Sequence, residues 1–249
     1  MIILNENQEF HLKVSHILSE INDTESENIN SAADICARCV QEGHLIFVFG
    51  CGHSHILADD SFFRAGGLAC IYPIYIEPLM LHEGAVTSSK LEKKSNYISN
   101  YFDSIPFNEG DVLIVASTSG RNPVPIELAL FAKSKGVKII CISSLEYHLH
   151  CSSRHESNKF LYEFADIVID NHSPFGDSIG MDNETGISFT SPSTITEAYI
   201  IQNLYFLTIK KLLNVGIVPP VFLSGNVDNS ASHNQELVDA YSSIIPYLK

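Results

Sequence analysis

Short, continuous apolar runs recur along the chain, and three of the five end in glycine or serine. They are rich in β-branched and aromatic side chains, which predicts strands buried on both faces of a sheet. The runs are 44-HLIFVFG-50, 69-ACIYPIYI-76, 111-DVLIVAS-117, 137-VKIICIS-143 and 165-ADIVID-170. Between and after them, apolar positions recur at helical spacing in 54–67, 122–136 and 193–216. Strands that alternate with helices favour an α/β fold, with a parallel sheet covered by helices on both faces.

The two ends of the chain depart from this alternation. The first 42 residues show helical periodicity on either side of the polar stretch 22-NDTESEN-28, which predicts two helices. Residues 217–249 hold Pro-Pro, a polar loop and a short helical pattern, typical of a tail that covers a site or packs on a neighbouring subunit. We therefore expect an N-terminal helical extension at 1–43, an α/β core at 44–216 and a C-terminal tail at 217–249.

Charge narrows the classes of partner. The formal net charge is −14, and an acidic surface repels nucleic acid and anionic membranes, so we expect neither as a partner. No run approaches the roughly 18 apolar residues of a membrane span, and the start of the chain lacks the features of a secretory signal. Six scattered cysteines suit reduced thiols, so we expect a cytoplasmic protein.

Two segments that follow predicted strands combine glycine with hydroxyl groups. Loop 1 is 50-GCGHSH-55 and loop 2 is 117-STSGRN-122. Ligands of open α/β sheets bind beyond the carboxyl ends of strands, where backbone amides and hydroxyls can hold an anion without a fixed cation. The alternative is ordinary turn and helix-cap chemistry. The candidate phosphate ligands are Gly50, Gly52, Ser54, Ser117, Thr118 and Ser119.

A third hydroxyl cluster, 188-SFTSPSTITE-197, precedes and opens the last long helix. Ser191, Ser193 and Thr194 are its candidate ligands. Thr194 and Glu197 also fit a capping box, in which the glutamate would bond back to the start of the helix. The joint occurrence of three such clusters is what favours phosphate binding.

These motifs resemble those of the sugar isomerase (SIS) domain family: Gly-x-Gly-x-Ser at 50–54, Ser-x-Ser-Gly at 117–120 and a hydroxyl-rich helix start at 191–196. The chain is most similar to a group of bacterial SIS-domain proteins of about this length. The resemblance implies a five-stranded parallel sheet in a flavodoxin-like three-layer sandwich. It also implies phosphosugar binding and a homodimer or homotetramer. Zinc-binding members carry histidine and glutamate where Asp60 and Arg64 stand here, and the late helix lacks histidine. We therefore expect no metal and no cofactor.

Proton transfer at a sugar carbon requires an acid/base pair. Glu83, in 81-LHEGA-85, is the predicted base, with His82 or Glu197 assisting. The alternative for Glu83 and His82 is that they are ordinary surface residues. The alternative for Glu197 is the capping box. His233 in the tail could complete a neighbour's site. The function favoured is isomerisation or epimerisation of a sugar phosphate. A non-catalytic phosphosugar sensor or regulatory scaffold is the alternative, and a phosphosugar lyase or deaminase is a third possibility.

Overall fold

One parallel sheet organises the chain, whose computed structural model describes residues 6–249. Its five strands are ordered β2-β1-β3-β4-β5 and pair in parallel throughout. The sheet confirms the predicted class, and all five predicted strands are present. Their bounds are β1 Ile46–Gly50, β2 Ile71–Pro73, β3 Val112–Ala116, β4 Lys138–Ser143 and β5 Ile167–Asp170. A short antiparallel ribbon, β6 Gly180–Met181 with β7 Ser188–Phe189, stands apart from it.

Helices cover both faces of the sheet. α1 (Glu6–Gln41) and α6 (Ser193–Asn214) pack against each other on one side, whereas α4 (Pro123–Ser134) packs on β3 and β4 on the other. Every residue of the central strands β1 and β3 is buried, as their continuous apolar runs predict. The helices are α1 Glu6–Gln41, α2 Ile56–Ser61, α3 Ala85–Leu91, α4 Pro123–Ser134, α5 Tyr147–His150, α6 Ser193–Asn214 and α7 Ser230–Tyr241. Within the described range, none of the helices has the length and apolar character needed to cross a membrane.

The N-terminal segment differs from its prediction of two helices, because α1 runs unbroken through residues 22–28. Ile21, Glu25 and Ile29 are all buried on one side of it. Glu25 is tolerated there because its Oε2 accepts hydrogen bonds from Asn28 and from the distant backbone N–H of Asp170. The polar stretch is thus a helical turn with a tertiary partner, and the first five residues of the predicted extension lie outside the described range.

The strand order fixes where a ligand can bind. The chain leaves β1 toward β2 on one side and returns to β3 on the other, so the topological switch lies between β1 and β3. The connections diverge there and leave a crevice beyond the carboxyl ends of those strands. Loop 1 follows β1 and loop 2 follows β3, so the two glycine–hydroxyl segments border this crevice.

The C-terminal segment packs on its own chain. Val221 forms an antiparallel bridge with Leu68. Beside it, the N–H of Gly66 donates to the carbonyl of Phe222, and the N–H of Phe222 donates to the carbonyl of Gly67. Leu248 is buried in the same hydrophobic core as the sheet. His233 is engaged locally, with its Nε2 2.8 Å from the carbonyl oxygen of Val221.

Candidate functional site

Loop 1 depends on two glycines. A Cβ on Gly50 would lie 2.4 Å from the backbone carbon and oxygen of Ser54, so only glycine lets the chain fold back this closely. Gly52 has φ +58°, in the left-handed region. The loop continues as a 3-10 turn at Gly52–His55 directly into α2. The two glycines of the predicted motif therefore shape the turn that carries Ser54.

Loop 2 is a tight turn anchored to the next strand. Gly120 has φ +58°, and a Cβ there would lie 2.7 Å from Oγ of Ser143. The N–H of Gly120 donates to the carbonyl of Ser117 at 2.9 Å, and the Ser143 hydroxyl donates to the same carbonyl at 2.7 Å. Ser117 Oγ also accepts from the N–H of Gly120. The loop is thereby held in one curved conformation above β4.

Glu197, in the first turns of α6, joins the two loops. The hydroxyl of Thr118 donates to its Oε1 at 2.8 Å, and the amide of Asn171, just beyond β5, donates to the same oxygen at 3.0 Å. The Ser54 side chain of loop 1 lies near enough to this carboxylate to favour its ionised form. Three strand ends thus converge on one carboxyl group, with Ser54, Thr118 and Glu197 side by side.

The environment of Glu197 perturbs its ionisation. The residue is only 2% exposed. Burial raises its pKa from 4.5 to about 7, and the negative charge of Asp177 adds to this, while hydrogen bonds from Thr118, Asn171 and Ser54 oppose it. A carboxyl group with a pKa near neutrality can hold or release a proton under physiological conditions. The capping-box alternative for Glu197 is wrong, since α6 has Pro192 as its N-cap and no side-chain cap bond.

The third hydroxyl cluster is turned toward Asp177. Oδ2 of Asp177 accepts hydrogen bonds from the hydroxyl of Ser191 and, at 2.7 Å, from the hydroxyl of Ser193. Oδ1 of Asp177 accepts a hydrogen bond from the N–H of Ser193 at 3.2 Å. The protein's own carboxylate therefore occupies the start of α6, where a phosphate was predicted to bind. Thr194 is half-buried and has no side-chain hydrogen bond to the described residues.

Other donors of the two loops have no partner among residues 6–249. They include the N–H groups of Thr118 and Ser119 and the Ser119 hydroxyl. The Nε of Arg121, at the end of loop 2, is buried and equally unpaired in that range. α4 itself offers few amides, because Pro123 and Pro125 lack an N–H. Any anion in this crevice would be held by the loop and not by the helix end.

Glu83 and His82, the predicted acid/base pair, lie away from this buried cluster. Their side chains are 51% and 64% exposed, in a short 3-10 turn that precedes α3. The His82 ring lies 6.2 Å from the ring of His55, which connects the turn to loop 1. In this single chain the two residues are surface groups beside the loop.

Three features of the site escaped sequence reasoning. Asn171 and Asp177 lie in irregular segments. Asn171 donates to Glu197, and Asp177 accepts hydrogen bonds from the start of α6. The third is a network behind loop 2, in which Asn122 donates to Glu92 at 2.7 Å and accepts from Arg154 at 2.8 Å. Burial raises the pKa of Glu92, although the positive charges of neighbouring side chains act in the opposite direction. Only the abundance of polar residues in these loops hinted at such contacts.

The described part of the chain contains no group of three or more histidine, cysteine, aspartate or glutamate side chains placed to hold a metal ion. Asp60 and Arg64, which stand where zinc ligands occur in some similar proteins, pair with each other instead. Gln202 of α6 donates to the other Asp60 oxygen at 2.6 Å. This position is therefore filled by an ion pair.

Known proteins share this architecture. A family model described as the SIS domain matches residues 9–144. A UPF0309 protein of Listeria innocua is 47% identical over 93% of this chain and 94% of its own length. A UPF0309 protein of Halalkalibacterium halodurans is 44% identical over 95% of this chain and 94% of its own length. Among solved structures, a phosphoheptose isomerase from Francisella tularensis matches with a TM-score of 0.52 at 16% identity, covering 84% of this chain and 100% of that one. The phosphoheptose isomerase of Neisseria gonorrhoeae matches with a TM-score of 0.51 at 14% identity, covering 80% of this chain and 92% of that one. At these identities the two structures show a shared fold.

Proposed function

Because this chain belongs to the SIS domain family, we propose that it binds a sugar phosphate in the crevice between loops 1 and 2. There it isomerises or epimerises the sugar by acid/base proton transfer. The names of the two structural neighbours, both phosphoheptose isomerases, support this class of ligand. The observation that carries the proposal is the buried carboxyl group of Glu197, with a pKa of about 7, at the meeting point of both loops.

The phosphate is held by donors that have no other partner among the described residues. These are the N–H groups of Thr118 and Ser119 and the Ser119 hydroxyl, with the Arg121 side chain as the nearby cation. Amide and hydroxyl donors suffice for an anion at a strand-end loop. Ser54 and Thr118 act through Glu197: their hydroxyls donate to its ionised form, and its protonation frees them for the ligand.

Glu197 is the group assigned to the proton transfer, since a base with a pKa near the working pH is the most effective. Glu83 and His82 form the second acid/base pair, which reaches a ligand only from the mouth of the crevice. We also propose a homodimer or homotetramer. Exposed apolar side chains along α6 support it, at Ile195, Phe206 and Leu213.

The test is proton exchange in heavy water. The protein is incubated with a panel of hexose and amino-sugar phosphates, and NMR follows deuterium at the sugar C2. We expect wild-type protein to exchange that position with at least one member of the panel. Glu197→Gln should bind the same sugar and lose exchange by about 10²-fold or more. Glu184→Gln, on an exposed turn, is the matched control and should behave as wild type. Normal exchange by Glu197→Gln would refute its assignment.

A phosphosugar sensor is the second candidate function, and one observation favours it. The exposed pair Glu83 and His82 does not converge on Glu197 within one chain. Tight binding of a sugar phosphate, with no deuterium uptake and no new product, would establish the sensor. A product lacking an ether substituent or an amino group would instead indicate a lyase or a deaminase.

A further inference from the structure

A cavity of about 490 Å³ lies next to loop 1, where its lining residue Asp59 contacts His55. Its walls come from α2, from the segment that follows β2 and from the last residues of the chain. Its size lies within the range of roughly 300–1,000 Å³ found for small-molecule sites. None of the loop 1 or loop 2 residues assigned to the phosphate lines it, but His82 of the proposed acid/base pair forms part of its wall. It is therefore a second place where a ligand can bind, next to that pair.

The lining of the cavity is acidic. Asp59 and Glu77 contribute carboxylates, no lysine or arginine lines it, and His82 contributes an imidazole. The whole chain carries a formal charge of −14, which adds to this local field. A phosphate is disfavoured here, whereas a positively charged group is attracted.

Aromatic rings supply the other half of the lining. Tyr75, Tyr101 and Tyr247 all face the cavity. The rings of Tyr75 and Tyr247 have centroids 5.0 Å apart and planes inclined at 66°, so they form two walls of a corner. Tyrosine faces attract cations through the ring quadrupole, and angled rings next to carboxylates are how proteins recognise organic ammonium groups.

Asp59 connects the cavity to loop 1. It lies near Tyr75 in the lining, and its negative charge contributes to the raised pKa of that tyrosine, which burial chiefly causes. Oδ2 of Asp59 lies 3.4 Å from Nε2 of His55, whose Nδ1 contacts the carbonyl of Gly52. A ligand charge beside Asp59 therefore acts on the side chain that holds loop 1.

We propose that this cavity is a second binding site, which takes a small organic ammonium ion. Its positive group lies in the corner that the rings of Tyr75 and Tyr247 form, and Asp59 and Glu77 neutralise its charge. The C-terminal residues form part of the site, since Tyr247 is one of its walls. The site is independent of the assignment of the crevice to sugar phosphates.

Choline is the probe, and 3,3-dimethylbutan-1-ol, which has the same shape without the charge, is its matched control. Binding is measured by calorimetry and by ¹H–¹⁵N NMR on the full chain. We expect choline to bind roughly tenfold more tightly than the alcohol. Glu77→Gln and Tyr247→Leu should each weaken choline binding about threefold or more. Glu184→Gln should leave it unchanged.

Several outcomes would overturn the proposal: no binding of choline, equal binding of the neutral alcohol, or choline binding that is indifferent to both substitutions. Because Glu77 is exposed, a failure of Glu77→Gln to fold is not expected, and the NMR spectrum checks it directly. Inorganic phosphate is titrated in parallel. If phosphate fails to bind while choline binds, the proposed function of the crevice is wrong and the ammonium site stands.

Discussion

The buried Glu197 carboxyl should make the protein less stable as pH rises. Its pKa is about 7 in the folded chain and 4.5 as a free side chain. Between those values the unfolded chain has released the proton and the folded chain still holds it. The free energy of unfolding therefore falls from pH 4.5 upward and levels off above pH 7. A shift from 4.5 to about 7 corresponds to about 3 kcal/mol lost over this interval.

Glu197→Gln removes this dependence while keeping the shape of the side chain. The amide cannot accept every hydrogen bond offered by Thr118, Asn171 and Ser54, which costs about 1 kcal/mol at all pH values. The variant should thus be slightly less stable than wild type at pH 5 and about 2 kcal/mol more stable at pH 8.

Urea unfolding followed by circular dichroism at pH 5, 6, 7 and 8 measures the difference between the two proteins. Taking that difference cancels the other titrating groups. Glu184→Gln provides the control and should track wild type across the range. A difference that stays constant from pH 5 to pH 8 would refute the claim that burial raises the pKa of Glu197.

Three further perturbations follow from the geometry. Gly50→Ala forces a Cβ against the backbone of Ser54, so we expect a loss of about 1–3 kcal/mol in urea unfolding and loss of ligand binding; an unchanged midpoint would contradict the close approach. Asp177→Ala should destabilise the start of α6 by about 1 kcal/mol and lower the pKa of Glu197, read by ¹³C NMR, because a neighbouring negative charge is gone; a rise would be inconsistent. The carboxylate of Glu25, whose Oε1 lies 3.8 Å from Nε2 of His172, raises the pKa of that histidine, so its stabilising contribution is present below pH 6.5 and is lost as pH rises through the folded value. His172→Gln should therefore reduce stability at pH 6 more than at pH 8, and an equal effect at both would count against the ion pair.

The sheet was predictable because its strands are buried on both faces. Runs such as Ile46–Gly50 and Val112–Ala116 carry no polar side chain, so their pattern predicts a strand buried on both faces. The glycine or serine at or just after the end of each run marks where the loop begins. The position of Ser54 and Thr118 beside one crevice followed from the same topology.

The contacts of polar side chains with distant partners were not predictable. Glu25 looks like a solvent-exposed residue in a polar stretch, yet it bonds to the backbone of Asp170, 145 residues away. Asp177 is one carboxylate among many, and only the fold brings it to the hydroxyls of Ser191 and Ser193. A sequence pattern reports periodicity and local chemistry, whereas these contacts depend on where irregular segments return to the sheet.

The most direct test of the account is a map of where a phosphate binds. Inorganic phosphate, and then a hexose phosphate, are titrated into ¹⁵N-labelled protein, and the backbone amide shifts are followed. We expect the largest shifts at Thr118 and Ser119, whose N–H groups are unpaired among the described residues, and little change at Ser193, which already donates to Asp177. Shifts concentrated at Ser193 and the start of α6, with loop 2 unaffected, would contradict this expectation.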